Sequence, residues 1–331
     1  MEQVAFVFPG QGSQYVGMGL ALAEASAAAQ AAFAEADEAL GSSISQLAWN
    51  GPPEEIDRTM NAQPAILATS VAYLRAMEAA RADAGADRLE PSFCAGHSMG
   101  QFSAMVAAGT LSLADAVRLV AERGRLMQAS APGIDGAMAA ILGLEPEAFR
   151  DVLAAGAAVG VVVIANDNAP GQIVISGERR AVEQAIERAR QRGARKAVVL
   201  PVSVAAHSPL MADAARAIAR MVDGVAFADP AVPLLSNAQA ALITTADGAR
   251  RELVEHLTTG VAWTRTVRTM ADAGVSRFVE VGPGRVLTGL VRRIAPQAEV
   301  HALDDPGAPG RLGMPAWEMD GAPASAGSAV A

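Results

Sequence analysis

Several things are scarce in this sequence, and each scarcity excludes a class of protein. One cysteine, Cys94, among 331 residues rules out an intramolecular disulfide and any multi-cysteine metal site. Positive charge is in deficit: 26 Lys and Arg against 35 Asp and Glu leave a net charge of −9. That balance argues against bulk attraction to nucleic acid or to an anionic membrane surface, and only a local basic patch could serve an acidic partner. No apolar run reaches the ~20 residues that span a bilayer; the longest, 153–165, is rich in Ala and Gly. The start, Met-Glu-Gln-Val, lacks the basic residues of a signal peptide. A cytoplasmic protein with no membrane attachment is the expectation. Histidine is also scarce, with four in the chain, so a catalytic base can be sought by elimination.

Apolar material is plentiful: hydrophobic residues make up 51%, charged residues 18%, and mean hydropathy is +0.24. That is enough for a packed core and argues against a mainly disordered chain. At ~150 residues per domain, the length suggests about two domains, or one large domain carrying an insertion.

Short buried strands alternate with Ala-rich helical stretches. The apolar run 4–8 ends in Pro9-Gly10-Gln11-Gly12, helical sequence follows over 19–40 and 64–84, and a second short strand over 92–95 leads into Gly96-His97-Ser98-Met99-Gly100. This alternation predicts an α/β fold with a parallel sheet. The middle of the chain has another rhythm: strand 137–144, helix 146–155, strands 159–165 and 172–176 around a turn at 166–171, helix 178–192, strand 195–200. That order, βαββαβ, is the ferredoxin-like unit. The α/β pattern then resumes, with helices over 209–222, 248–257 and 263–273 and strands over 232–236 and 277–281. The expected organisation is a large α/β-hydrolase-like subdomain from 1–131 and 203–303, a ferredoxin-like subdomain inserted at 132–202, and a disordered Pro/Gly/Ala/Ser-rich tail over 304–331.

The strongest chemical signal is Gly96-His97-Ser98-Met99-Gly100, a G-x-S-x-G pattern between a predicted strand and a predicted helix. Small residues around the serine permit the sharp turn that exposes its oxygen, and the following helix N-terminus directs N–H groups at a developing oxyanion. An ordinary Gly-rich turn is the bland alternative. A nucleophilic serine needs a base. His97 adjoins Ser98 and cannot easily turn back onto it, His256 sits in a charged helix, and His301 lies beside the tail. His207, on a loop after the apolar run 200–206, is the candidate base.

Arg123 is the third signal. On a wheel at 100° per residue, Leu113, Ala116, Val120, Gly124 and Met127 share one face, and Arg123 falls at its edge. An arginine there either meets an internal carboxylate or awaits a carboxylate ligand. Dinucleotide binding at Gly10-Gln-Gly12 fails, because the third glycine would fall at Tyr15. Gly282-Pro-Gly284 lacks the Lys-Ser/Thr of a P-loop. The basic run Arg188, Arg190, Arg192, Arg195 and Lys196 is a solvated helix face or a contact for an acidic protein.

With these residues in view, the chain resembles the malonyl-CoA:acyl carrier protein transacylases and the related acyltransferase domains of polyketide synthases. The resemblance covers 3–303 and rests on Phe8-Pro-Gly-Gln-Gly-Ser-Gln14, Gln63-Pro-Ala65, the Ser98 elbow, Arg123-Gly124 with Met127-Gln128, and Gly136-Ala-Met-Ala139. It continues through Asn168-Ala-Pro-Gly-Gln172 with Ile175-Ser-Gly177, Pro201-Val-Ser-Val204 with His207-Ser208, and Glu280-Val-Gly-Pro-Gly284. It implies a Ser98–His207 dyad that moves a malonyl group from malonyl-CoA to the phosphopantetheine thiol of an acyl carrier protein, with no permanently bound cofactor or metal. It further implies an oxyanion hole from the backbone N–H groups of Gln11 and Met99, Arg123 on the malonyl carboxylate, and Gln63 and Asn166 lining the pocket. The family orients its histidine with main-chain carbonyls, and Ala262 is the residue expected to supply one here. Gln101 stands where the family usually has Glu, and Thr258-Thr-Gly-Val-Ala262 departs from the family pattern. Met99 and Val204-Ala-Ala-His207 resemble malonyl-selective members. A serine hydrolase and a non-catalytic docking subunit are the competing readings. The insertion and Arg123 weigh against a hydrolase, and a docking subunit would be indifferent to replacement of Ser98.

Overall fold

The computed structural model describes residues 3–130, 135–202 and 204–308. The fold is α/β, built on two sheets. Strands β1 (Gln3–Phe8) and β2 (Phe93–Gly96) come first in the larger one, while β3 (Gly136–Leu142), β4 (Val162–Ala169), β5 (Gln172–Glu178) and β6 (Lys196–Val199) form the smaller. The chain then returns to the larger sheet with β7 (Leu234–Leu235), β8 (Leu242–Ile243), β9 (Val275–Val281) and β10 (Glu299–Leu303). The larger sheet has the order β10-β9-β1-β2-β7-β8 and is parallel except for the antiparallel β7–β8 pair, which makes it mixed.

Residue parity along β1 shows why this sheet sits centrally. Val4, Phe6 and Phe8 join a core formed with helices Ala27–Leu40, Thr59–Asp83 and Leu113–Ser130, while Ala5 and Val7 join a second core with Trp263, Val267, Leu287 and Val291. A strand buried on both faces reads as a continuous apolar run, which is what Val4–Phe8 is. The smaller sheet is antiparallel with the order β4-β5-β3-β6, and helices Pro146–Ala157 and Arg179–Gln191 cover one face. It has its own core of Ala137, Ala139, Ile141, Phe149, Val152, Ile175 and Ile186, while Met138 faces the core of the larger sheet.

Several boundaries differ from expectation. The helix expected over 19–40 is two, Leu20–Ala25 and Ala27–Leu40, broken at Ser26, whose extended backbone lets its side chain accept from Ala29 N and cap the second. The helix expected from Pro64 starts at Thr59 with Pro64 inside; proline's preference for a first turn disguises that start. The turn expected over 166–171 is shorter, since β4 runs through Ala169, with register shifts after Ile164 and Asp167, and the reversal is made at Pro170–Gly171. Helix 209–222 begins as a 3-10 turn, Pro209–Met211. Short helices at Ile44–Asn50 and Pro53–Ile56, helix Val286–Ile294, β8 and β10 lie beyond the elements that the sequence pattern predicts. Of the expected tail, 304–308 is ordered: Asp304 pairs with Arg285, and Ala308 is buried. The rest, 309–331, lies outside the described residues.

Candidate active site

The site lies where β1 and β2 end. Close approach explains the two glycines of the elbow. A Cβ on Gly96 would sit 2.0 Å from the carbonyl carbon of Gly100, and one on Gly100 would sit 2.2 Å from the Phe8 carbonyl oxygen. Only bare backbone lets helix Gly100–Ala107 start this close to both strands. Ser98 between them has φ 52°, and His207 has φ 59°. Left-handed backbone is uncommon away from glycine, and it recurs at functional sites.

The Ser98 Oγ lies 2.8 Å from His207 Nε2. On the far side of the ring, Nδ1 is 2.7 Å from the His256 carbonyl and 3.0 Å from the Thr259 carbonyl. A carbonyl can only accept, so Nδ1 carries the proton and Nε2 presents its lone pair to the serine hydroxyl. The Ala262 carbonyl, expected in that role, instead accepts from Thr266 N and Oγ1 at 2.9 and 3.2 Å, because Ala262 is already the cap of helix Trp263–Asp272. Burial above all, then the positive Arg123, pushes the His207 pKa down to about 3. The ring is thus neutral at neutral pH.

Arg123 is 2% exposed. Its Nη1 donates to Gln63 Oε1 at 2.7 Å and its Nη2 to Ser98 Oγ at 3.3 Å, while Nε has no partner. No carboxylate among the described residues pairs with it, and burial lowers its pKa to about 9. Of the two alternatives left open by the sequence, the internal ion pair is the one the structure removes. The Gln63 amide is held from behind by Met127 Sδ at 3.6 Å.

Gln11 is exposed, and its side chain donates to Thr59 Oγ1 at 3.2 Å. The backbone N–H groups of Gln11 and Met99 have no acceptor among the described residues. A Cβ on Gly10 would sit 2.6 Å from the His97 carbonyl oxygen, so the two loops that carry these amides are packed together. The Ser98 N–H, in contrast, is taken by Asn237 Oδ1 at 2.8 Å. Asn166 is buried on β4 and bridged to Val261, and no hydrogen bond joins it to Ser98, His207 or Arg123. Its neighbour Asn168 is the one that reaches the elbow, with Oδ1 2.8 Å from His97 Nε2, which turns the His97 ring away from Ser98 and against Trp263.

Gln101 is fully buried. It accepts from Gly96 N and donates to the Leu235 carbonyl, both at 3.0 Å, which a carboxylate could not do. Elimination by sequence missed His256, because its charged neighbours suggested exposure; it is 0% exposed and serves through its carbonyl. Asn237 and Glu252 carry no motif signal, and Asn168 stands in the motif Asn168-Ala-Pro-Gly-Gln172 without a role that the sequence assigns. In the basic run, Arg188 and Arg192 share the single carboxylate of Asp151, so the charge of that part of the helix face is only partly offset. Among the described residues no helix is long and apolar enough to cross a membrane, and no cluster of three His, Cys, Asp or Glu could hold a metal ion.

Comparison with known proteins gives the family. Residues 5–303 match the family described as acyl transferase domain. A malonyl CoA-acyl carrier protein transacylase of Bacillus subtilis strain 168 is 43% identical over 307 residues, 92% of this chain and 95% of that protein. The protein of that name from Escherichia coli K12 is 43% identical over 308 residues, covering 93% and 98%. Among solved structures, an acyl carrier protein S-malonyltransferase from Vibrio cholerae superposes with a TM-score of 0.87 at 41% identity, covering 93% of this chain and 98% of that one. A malonyl-transacylase in complex with a type II polyketide synthase acyl-carrier protein gives 0.89 at 40% identity, covering 94% and 99%.

Proposed function

The chain belongs to the acyl transferase family, and from that premise we propose that it transfers malonyl groups from malonyl-CoA to an acyl carrier protein, for fatty acid or polyketide synthesis. Ser98 Oγ attacks the thioester carbonyl while His207 Nε2 takes its proton. The N–H groups of Gln11 and Met99 receive the charge that develops on the carbonyl oxygen. The tetrahedral intermediate collapses with loss of the coenzyme A thiolate, which takes the proton from His207 and leaves malonyl-Ser98. The phosphopantetheine thiol of the carrier then loses its proton to His207, attacks the ester, and releases Ser98 reprotonated. Protein groups and the two thiols complete this chemistry without a resident cofactor or metal.

The observation that carries the reading is the buried Arg123, without a carboxylate partner among the described residues and within hydrogen-bond reach of Ser98 Oγ. A dicarboxylic acyl group would bring its thioester to Ser98 and its free carboxylate to this guanidinium and Gln63. That carboxylate would also offset the positive charge that holds down the basicity of His207. Asn166, on the strand that flanks Val261, lines the same pocket in this reading. The mixed sheet is the α/β-hydrolase-like subdomain formed by 1–131 and 203–303, the antiparallel unit at 132–202 is the ferredoxin-like insertion, and the cytoplasm is the place of action. A carbonyl-oriented histidine weighs against the serine hydrolase alternative, which would place an acid behind the ring.

The test is direct. Brief exposure to malonyl-CoA should add one malonyl mass to the peptide that holds Ser98, and Ser98→Ala should abolish the adduct. His207→Ala should slow acylation by the ~10²–10⁴ typical of losing a general base. An adduct on another peptide, or a normal rate in His207→Ala, would refute the assignment.

A further inference from the structure

The two dyad members are joined by a second connection behind the reacting atoms. Ser98 holds a left-handed backbone, φ 52°, which a residue with a Cβ keeps only when its surroundings over-determine it. Its N–H donates to Asn237 Oδ1 at 2.8 Å. Asn237 is 2% exposed, and both its own backbone N and its Nδ2 donate to Glu252 Oε1, at 2.7 and 3.0 Å. The carboxylate therefore decides which way the Asn237 amide faces: Nδ2 toward Glu252, Oδ1 toward Ser98. Glu252 lies in helix Ala246–Glu255, and its own carbonyl accepts from His256 N at 3.1 Å and His256 Nδ1 at 2.8 Å. The His256 carbonyl in turn takes the His207 Nδ1 proton. One helical turn, from Glu252 to His256, thus holds the nucleophile's backbone at one end and the base's ring at the other.

We propose that Asn237 and Glu252 are positioning residues that set the separation of Ser98 Oγ and His207 Nε2, a reading that rests on Ser98 being the nucleophile. The strut also keeps the Ser98 amide out of the oxyanion hole, which leaves that task to Met99 and Gln11. Neither residue touches the acyl group, so their removal acts on the acylation step and not on substrate affinity.

Single-turnover acylation by malonyl-CoA, read by mass against substrate concentration, tests this. Asn237→Ala should slow saturated acylation about 10–100-fold, since a misplacement of ~1 Å in a reacting pair costs that much. The half-saturating concentration should stay within about twofold, because Arg123 and Gln63 are untouched. Glu252→Gln keeps an acceptor oxygen and should stay within about threefold of the parent, while Glu252→Ala should fall as far as Asn237→Ala. Asn237→Asp sets two carboxyl groups against each other; its rate should recover as pH falls and the pair shares a proton, and adding Glu252→Gln should restore it at neutral pH.

A folded Asn237→Ala protein that acylates at full speed, or that loses only affinity, would overturn the proposal. So would Glu252→Gln falling as far as Glu252→Ala, or Asn237→Asp failing to recover by either route. If Asn237→Ala does not fold, the near-isosteric Glu252→Gln and Asn237→Asp proteins decide the matter. Failure of the unaltered protein to take malonyl on Ser98 is a different result, and it would refute the nucleophile assignment instead.

Discussion

Replacing Arg123 with alanine should turn a malonyl-selective site into one that scarcely separates malonyl from acetyl. The guanidinium is 2% exposed, has no carboxylate partner among the described residues, and keeps its charge at neutral pH although burial lowers its pKa to about 9. Its planar fork can take a carboxylate in two parallel hydrogen bonds. A hydrogen bond to a charged group contributes roughly 1.5–3 kcal/mol, or about one to two powers of ten in relative rate. Unaltered protein should therefore favour malonyl-CoA over acetyl-CoA by at least that margin in kcat/KM with one carrier protein. In Arg123→Ala most of the preference should vanish through lost malonyl transfer. Acetyl transfer should hold or rise, because the charge that depresses the basicity of His207 is gone. Loss of the 3.3 Å bond from Nη2 to Ser98 Oγ touches both substrates alike, so the ratio of the two rates isolates the carboxylate contribution. Arg123→Lys should rescue only in part, since it offers charge without the fork. Equal losses for both acyl groups together with a lower Tm would refute the reasoning and make Arg123 a structural residue.

His207 has a folded pKa below its ordinary 6.5, so the unfolded chain binds the extra proton and stability falls as pH drops from about 6.5 toward 3; His207→Gln should flatten that slope in denaturant titrations. Glu280, which accepts from Leu287 N and Thr288 N, is raised from 4.5 to about 7 by burial and acts with the opposite sign. Its contribution is full below 4.5 and is lost as pH rises to about 7, so Glu280→Gln should flatten the pH dependence of Tm across that window. Gly100→Ala would place a Cβ 2.2 Å from the Phe8 carbonyl oxygen, and it should abolish Ser98 acylation with a large fall in Tm, whereas near-normal activity would show that the elbow tolerates displacement.

Local pattern was enough for the parts of this protein that are themselves local. Continuous apolar runs marked β1 and β2, because a strand covered on both faces needs apolar residues at every position. The glycines around Ser98 marked the elbow, because a short strand–helix turn tolerates no Cβ there. The wheel put Arg123 at the edge of an apolar face, and scarcity of histidine singled out His207. Pairings made across long stretches of chain were decided only by the tertiary structure. Whether Arg123 met a carboxylate depended on what helix Thr59–Asp83 brought beside it, and that was the Gln63 amide. The carbonyls behind His207 came from His256 and Thr259, and not from Ala262, because a carbonyl's direction follows backbone path, which side-chain identity does not encode. Asn237 and Glu252 look like ordinary polar residues in the sequence. Asn237 becomes a partner of Ser98, and Glu252 of Asn237, only when the chain folds back across a separation of 139 positions and buries them together.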